Sequence, residues 1–250
     1  MNISMYQAAA AMNAATRWQE AVSENLSAAS IPGFKKQQLS FSAIEAGLMS
    51  ARNANAAAPN RFQIPEASTG TNFSNGELRY TGVDTDFAVE GEGFFEIQTE
   101  TGALAYTRDG EFHMNAAGEL TTKSGHLVLG TGGPIQLDRN AGASIEVTPD
   151  GRISQGGIPR GQIRVVGFTD PGQLKSLGGG LFSAEAAGIT GSELDTAVVR
   201  QGFLENANTN TATEMADMML AMRHFEANQR VIRMQDERMS KAIQDLGSTN

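Results

Sequence analysis

The chain has 250 residues, no cysteine and a formal net charge of −9. That length accommodates one large domain or two ordinary ones. Without cysteine there are no disulfides, no thiolate metal sites and no cysteine nucleophile. The acidic balance argues against nucleic acid as a partner, because its binders carry a basic stripe. Three histidines (His113, His126 and His224) are too few and too scattered for a histidine metal cluster. No stretch reaches the ~20 apolar residues of a membrane-spanning helix, so no membrane insertion is expected. No basic and then apolar secretory signal opens the chain.

Composition divides the chain sharply. Of 28 glycines, 25 lie between Gly70 and Gly202, and nine of 11 methionines lie in residues 1–12 and 215–239. The ends therefore read as helical and the middle as a β-rich insert. The fold class expected is α+β, with the terminal helices pairing as a coiled coil around an inserted all-β domain of short strands. Residues 1–50 with 205–250 form the expected helical assembly domain, 51–70 a linker or extended arm, and 71–204 the β insert.

The N-terminal helix carries Met5, Ala8, Met12, Ala15, Gln19, Val22, Leu26 and Ala29 at alternating steps of three and four. That is the spacing of a coiled-coil seam. The helix is expected to stop before Pro32, because the residue before proline disfavours the α region. Pro32-Gly33 suits the two central positions of a type II turn, with Gly33 at positive φ. Phe34 then anchors the turn, against a neighbouring surface or within its own subunit. Residues 51–60 (ARNANAAAPN) have no amphipathic period and read as linker. Residues 206–213 (NANTNTAT) read as its counterpart on the return path.

In the middle, short apolar-alternating runs are separated by turn signals about every eight residues. Strand alternation is expected over 87–98, through Phe87, Val89, Phe95 and Ile97, with a bulge or sharp bend at Gly91 and Gly93, and further strands at 103–107, 111–114, 119–122 and 126–129. Others flank Pro149-Asp150-Gly151, and one covers 162–168. Such spacing suggests a sandwich or barrel. Candidate chemistry is thin. Glu90 and Glu92 share a strand face, but two solvent-facing acids are the commoner meaning of that pattern. Gly91-Glu92-Gly93 lacks the third glycine and the strand-then-helix setting of a dinucleotide loop. No nucleophile–base pair is visible, so no enzyme, no cofactor, no metal and no small-molecule substrate are expected.

The C-terminal run steps through Met215, Met218, Met222, Phe225, Gln229, Ile232, Asp236, Met239, Ile243 and Leu246, eight of the ten apolar. It is free of Pro and Gly until Gly247, a plausible C-cap. Thr211 and Glu214 have capping-box spacing at its start. Gln229 and Asp236 are polar breaks in the stripe.

Residues 23–35 (SENLSAASIPGFK) resemble the N-terminal signature of bacterial flagellar rod and hook proteins, through Asn25, Leu26, Pro32, Gly33, Phe34 and Lys35. The resemblance continues through NFSNGELRYTG (72–82), TDFAVEGEGFF (85–95), YTRDGEF (106–112), GELTTKSG (118–125) and LENAN (204–208). In the last helix it includes Glu214, Met215, Met218, Arg223, Phe225, Glu226 and Asn228. Glu24, Ser27, Ala28 and Ala207 depart from the pattern. The resemblance implies an axial subunit that assembles helically into a hollow, torque-transmitting shaft. Its implied partners are copies of itself, other rod proteins and the flagellar type III export apparatus, and its implied place is the basal-body rod. The short insert and the Pro-Gly-Phe form look more like the proximal than the distal rod proteins. Assembly contacts are accordingly expected at Met5, Met12, Asn25, Leu26, Pro32, Gly33, Phe34, Lys35, Met215, Met218, Met222, Phe225, Gln229, Ile232, Met239, Ile243 and Leu246.

Overall fold

The computed structural model describes residues 3–48, 61–139, 144–185, 188–194 and 197–247. The chain forms two compact units. One contains residues 1–26, 37–70 and 211–250, the other residues 27–36 and 71–210. The fold is α+β, with two terminal helices packing together and a large β-rich region.

In the first unit, α1 (Ile3–Ser27) runs through an alanine-rich stretch without Gly or Pro. Alanine loses no side-chain entropy in a helix, which favours this state. α2 (Thr211–Gly247) is 37 residues long. Two contacts fix their relation. Trp18 stacks at 5.9 Å on His224, and Asn25 Nδ2 donates to Glu214 Oε2 at 3.0 Å. Residue 18 therefore faces 224 and residue 25 faces 214, so the helices run antiparallel. Glu214, the expected capping-box acid, accepts this bond from α1 through one carboxylate oxygen.

Strands β1 (Gln37–Leu48) and β2 (Arg61–Thr71) pair as a two-stranded sheet. Arg17 Nη1 of α1 donates to the Ala67 carbonyl at 2.9 Å. The expected arm at 51–70 is thus strand from Arg61 onward. The alternation Arg61-Phe62-Gln63-Ile64 is its local cause. Residues 51–60 lie outside the described residues.

The second unit is built on a large sheet around β5 (Phe94–Gln98). Strand β5 pairs antiparallel with β6 (Leu104–Thr107), β9 (Leu127–Gly130) and β14 (Val165–Gly167). Its side chains alternate between two cores. Phe95 and Ile97 join Phe87, Val89, Phe112, Leu120, Val128, Ile153 and Val199. Phe94 faces the other way, with Tyr106, Val166, Leu174 and Phe182. Both faces are covered, so four consecutive residues from Phe94 are buried. A smaller antiparallel sheet joins β11 (Ile145–Val147), β12 (Arg152–Gln155) and β13 (Ile158–Gln162). The exit from the unit is antiparallel too. β18 (Val198–Gln201) pairs with β4 (Phe87–Glu90), and β19 (Phe203–Glu205) with β3 (Leu78–Tyr80).

Candidate functional site: the signature turn and the helix faces

The turn at 31–34 closes as its sequence dictates. Phe34 N–H donates to the Ile31 carbonyl at 3.3 Å, and Gly33 has φ +66°. A Cβ at Gly33 would stand 2.2 Å from the Arg108 carbonyl carbon. The glycine therefore serves two needs, a left-handed backbone and direct backbone-to-backbone packing. Phe34 is 2% exposed, buried within its own chain.

Lys35 follows, and it is buried as well. Its Nζ donates to Glu205 Oε1 at 2.7 Å and to the Ser74 carbonyl at 2.8 Å. Glu205 Oε1 also accepts the Gly76 N–H at 2.7 Å. Glu205 Oε2 accepts Arg108 Nη1 at 3.2 Å. Arg108 reaches the carbonyls of Val89 and Gly91 at 3.1 and 2.6 Å, and its guanidinium lies 5.3 Å from the Phe94 ring centroid. Two cations thus share one carboxylate, and backbone carbonyls add further negative potential, as does the Glu92 charge toward Arg108. Burial pulls both the Lys35 ammonium and the Arg108 guanidinium below their ordinary pKa values, and Glu205 opposes the shift in each case.

The return segment holds the same knot. Gly33 N–H donates to the Glu205 carbonyl at 2.6 Å. Asn208 accepts the Lys36 N–H at 2.8 Å and donates to the carbonyls of Asn72 and Ser74. Residues 33–36, 72–76, 108 and 205–208 are therefore cross-connected within the β-rich unit. The expectation that 206–213 is a second linker is corrected: Asn208 is pinned, and Thr211–Thr213 already belong to α2.

Several expected assembly residues are thus internal. Asn25 is buried at 2%, bonding the Gln37 backbone as well as Glu214. Gly33, Phe34 and Lys35 lie inside the β-rich unit, because their polar groups find partners there. Leu26 and Pro32 are half-buried, as are Met5 and Met12 on α1.

On α2 the apolar stripe is split. Met218, Phe225 and Ile232 are half-buried as a line, together with Gln229. The fully buried positions, however, are Glu214 and Ala221. The inward line therefore runs 214, 218, 221, 225, 228, 232 and 235. It shares three positions with the expected seam and lies one residue to its N-terminal side at the rest. Met215, Met222, Met239 and Ile243 are 45–70% exposed. The antiparallel register places Ile3 opposite about residue 237, by the common rise of the two helices. Residues 236–245 are exposed, Asp236 among them. The side chain of Leu246 lies outside the described residues. Glu90, once a candidate acid, forms an exposed cross-strand pair with Arg200 at 2.6 Å.

Arg108, Glu205 and Asn208 were absent from the expected site. Their sequence signal was charge and amide groups inside apolar runs, in YTRDGEF and LENAN.

The family model described as flagellar hook protein FlgE/F/G D1 domain matches residues 88–155, and that of the flagellar basal body rod FlgEFG protein C-terminal region matches residues 200–245. Flagellar basal-body rod protein FlgG of Borreliella burgdorferi is 32% identical, over 96% of this chain and 97% of its own length. FlgF of Mesorhizobium japonicum is 31% identical over 99% of both, and FlgF of Escherichia coli 30% over 98% and 99%. The chain belongs to the flagellar basal-body rod and hook protein family. Within this flagellar family architecture, the first family match covers most residues of the main core and the second begins at Arg200, just before Glu205. The ion triad thus joins a residue of the signature turn to both matched regions.

Proposed function

We propose that the chain is a structural subunit of the flagellar basal-body rod, working mechanically as part of a torque-transmitting shaft. The observation that carries this is the near end-to-end match to rod proteins, with no large segment of either chain left over. In this reading the FlgF-type, proximal position is favoured. FlgF relatives from E. coli and M. japonicum align over 98–99% of both chains. The B. burgdorferi FlgG match, at 96% and 97%, is the specific observation favouring a distal position instead.

The paired termini form a coiled-coil layer in the assembled shaft. The exposed edge of α2 (Met215, Met222, Met239, Ile243) supports this reading, since a narrow apolar stripe is the pattern of a seam between helices. Methionine there accommodates several slightly different neighbours. The partners are further copies of the chain and other rod proteins. A head-to-tail contact that does not close produces a helical filament. Export runs through the flagellar type III pathway, and the final place is the basal body.

The test is a deletion strain complemented with a tagged chain. Expected are loss of swimming on deletion, rods arrested before completion in electron micrographs, and the tag in purified basal bodies on complementation. Complete rods in the deletion strain would overturn the proposal.

A further inference from the structure

Six of the chain's methionines lie between Met215 and Met239, all on α2. Three of them, Met215, Met219 and Met222, are spaced i, i+4 and i+7, and their exposures are 53%, 57% and 50%. At 100° per residue they fall within one narrow sector of the helix. Met218 borders that sector and is half-buried. The chain has no cysteine, so methionine is its sole sulfur.

We propose that Met215, Met219 and Met222 form a reversible oxidation site, at which peroxide-class oxidants inactivate the unassembled subunit. An exposed thioether is open to two-electron oxidation. A sulfur lone pair attacks one peroxide oxygen, and the S–O bond forms as the O–O bond breaks. The sulfur loses two electrons, and hydrogen peroxide is reduced to water. Each event places a strongly polar S=O group on a face that otherwise presents apolar surface. Three neighbouring sulfoxides convert a contiguous apolar patch into a polar one. Burial of such groups without hydrogen-bond partners is unfavourable. The inward line of α2 (Glu214, Met218, Ala221, Phe225) is covered, so the chain's own fold survives the change. Sulfoxide reductases reverse it, one enzyme for each epimer. The consequence for assembly rests on the rod reading above; the chemistry of the site does not.

The experiment uses the full chain and its M215L/M219L/M222L variant, in which leucine keeps the apolar volume without the sulfur. Both are treated with graded hydrogen peroxide. Peptide mass spectrometry locates the added oxygen, retention on a hydrophobic column reads the face, and recovery in basal bodies reads assembly. In the wild type, the three stripe sulfurs should oxidise ahead of the half-buried Met12 and Met114. Retention should fall, and incorporation should drop by about tenfold or more, as expected for desolvating unpaired polar groups at a contact. The two reductases together should restore both. The leucine variant, in which Met234 and Met239 still oxidise, should lose markedly less retention and incorporation than the wild type at the same peroxide dose. Equal peroxide sensitivity of the two proteins would overturn the proposal, and so would unchanged incorporation of the oxidised wild type. Absence of the untreated wild type from basal bodies would refute the rod reading instead, and retention would then decide the oxidation site alone.

Discussion

Burying two cations against one carboxylate is a poor arrangement for stability taken alone, since desolvation offsets much of the attraction. Its value lies in what it forbids. Lys35, Arg108 and Glu205 cannot be accommodated singly, so the signature turn, the loop after β6 and the end of β19 must arrive together. Glu205→Gln leaves Lys35 without its counter-charge and Arg108 with only the weaker pull of Glu92, and it should destabilise the β-rich unit by about 3–5 kcal/mol. Chemical denaturation followed by circular dichroism measures this, and an unchanged midpoint would show that backbone carbonyls and Glu92 satisfy the cations. Gly33→Ala should also act on this unit, because the added carbon meets Arg108 backbone at φ +66°. A loss of at least about 2 kcal/mol is expected from strain and overlap together. Beside them, Asp109 is raised from its ordinary 3.8 to about 6, first by burial and then by Glu111 and Asp86, with Lys123 and the Glu111 N–H opposing. A raised carboxyl binds its proton more tightly when folded. Stability from this group is therefore full below pH 4 and falls as pH rises through 6. Asp109→Asn should match the wild type near pH 4 and melt about 2–4 °C higher at pH 7. A variant that gains nothing at pH 7 would contradict the assigned shift.

At the scale of elements, α2 presents two lines one residue apart. Glu214, Ala221, Asn228 and Gln235 edge the face turned into the helical unit, whereas Met215 and Met222 edge the exposed one. Substitutions at 221 and 222 should therefore separate. Trp18 is the chain's single tryptophan and stacks on His224, so its emission reports helix pairing directly. Ala221→Leu adds volume at a position with no exposure, and it should shift the Trp18 emission and weaken the pairing by about 1–3 kcal/mol. Met222→Gln should leave Trp18 emission unchanged and reduce rod incorporation. Equal effects at 221 and 222 would return the inward line to the heptad register first read from apolar spacing. That register was legible to within one residue because Met218, Phe225 and Ile232 belong to both lines. The offset was not, because Glu214 and Asn228 carry no apolar signal, and their place follows from polar partners such as Asn25. The strands between residues 87 and 130 were legible for a different reason, since glycines punctuate that stretch at 91, 93, 102, 110, 118 and 125. β1 was hidden because Leu39 and Phe41 alternate correctly but Ile44 falls out of step.

At the scale of the molecule, the residues that carry the family signature divide by unit. Asn25 serves the helical unit, whereas Gly33, Phe34 and Lys35 serve the β-rich unit, eight to ten residues later and with different partners. No sequence pattern could assign Lys35 to Glu205, because 170 positions separate them and each reads alone as a surface charge. The consequence is that the β-rich unit is not the uninterrupted insert 71–204 but that region closed by 27–36 and 205–210. Two truncations test this. A chain spanning residues 27–210 retains the turn, the triad and Asn208, and should melt cooperatively with the β-sheet spectrum of the full protein. A chain spanning residues 37–210 differs only by the ten residues 27–36, yet it removes the cation of Lys35, the Phe34 side chain and the backbone bond from Gly33 to Glu205. It exposes the Glu205–Arg108 pair and the surface that Phe34 covers. Losing a buried aromatic alone costs about 3–5 kcal/mol, a large part of the stability of an ordinary domain. The shorter chain should therefore melt well below the longer one, or fail to fold, with calorimetry as the measure. Identical melting of the two would mean that the signature turn is an appendage of the β-rich unit, and that its burial contributes nothing to holding the unit closed.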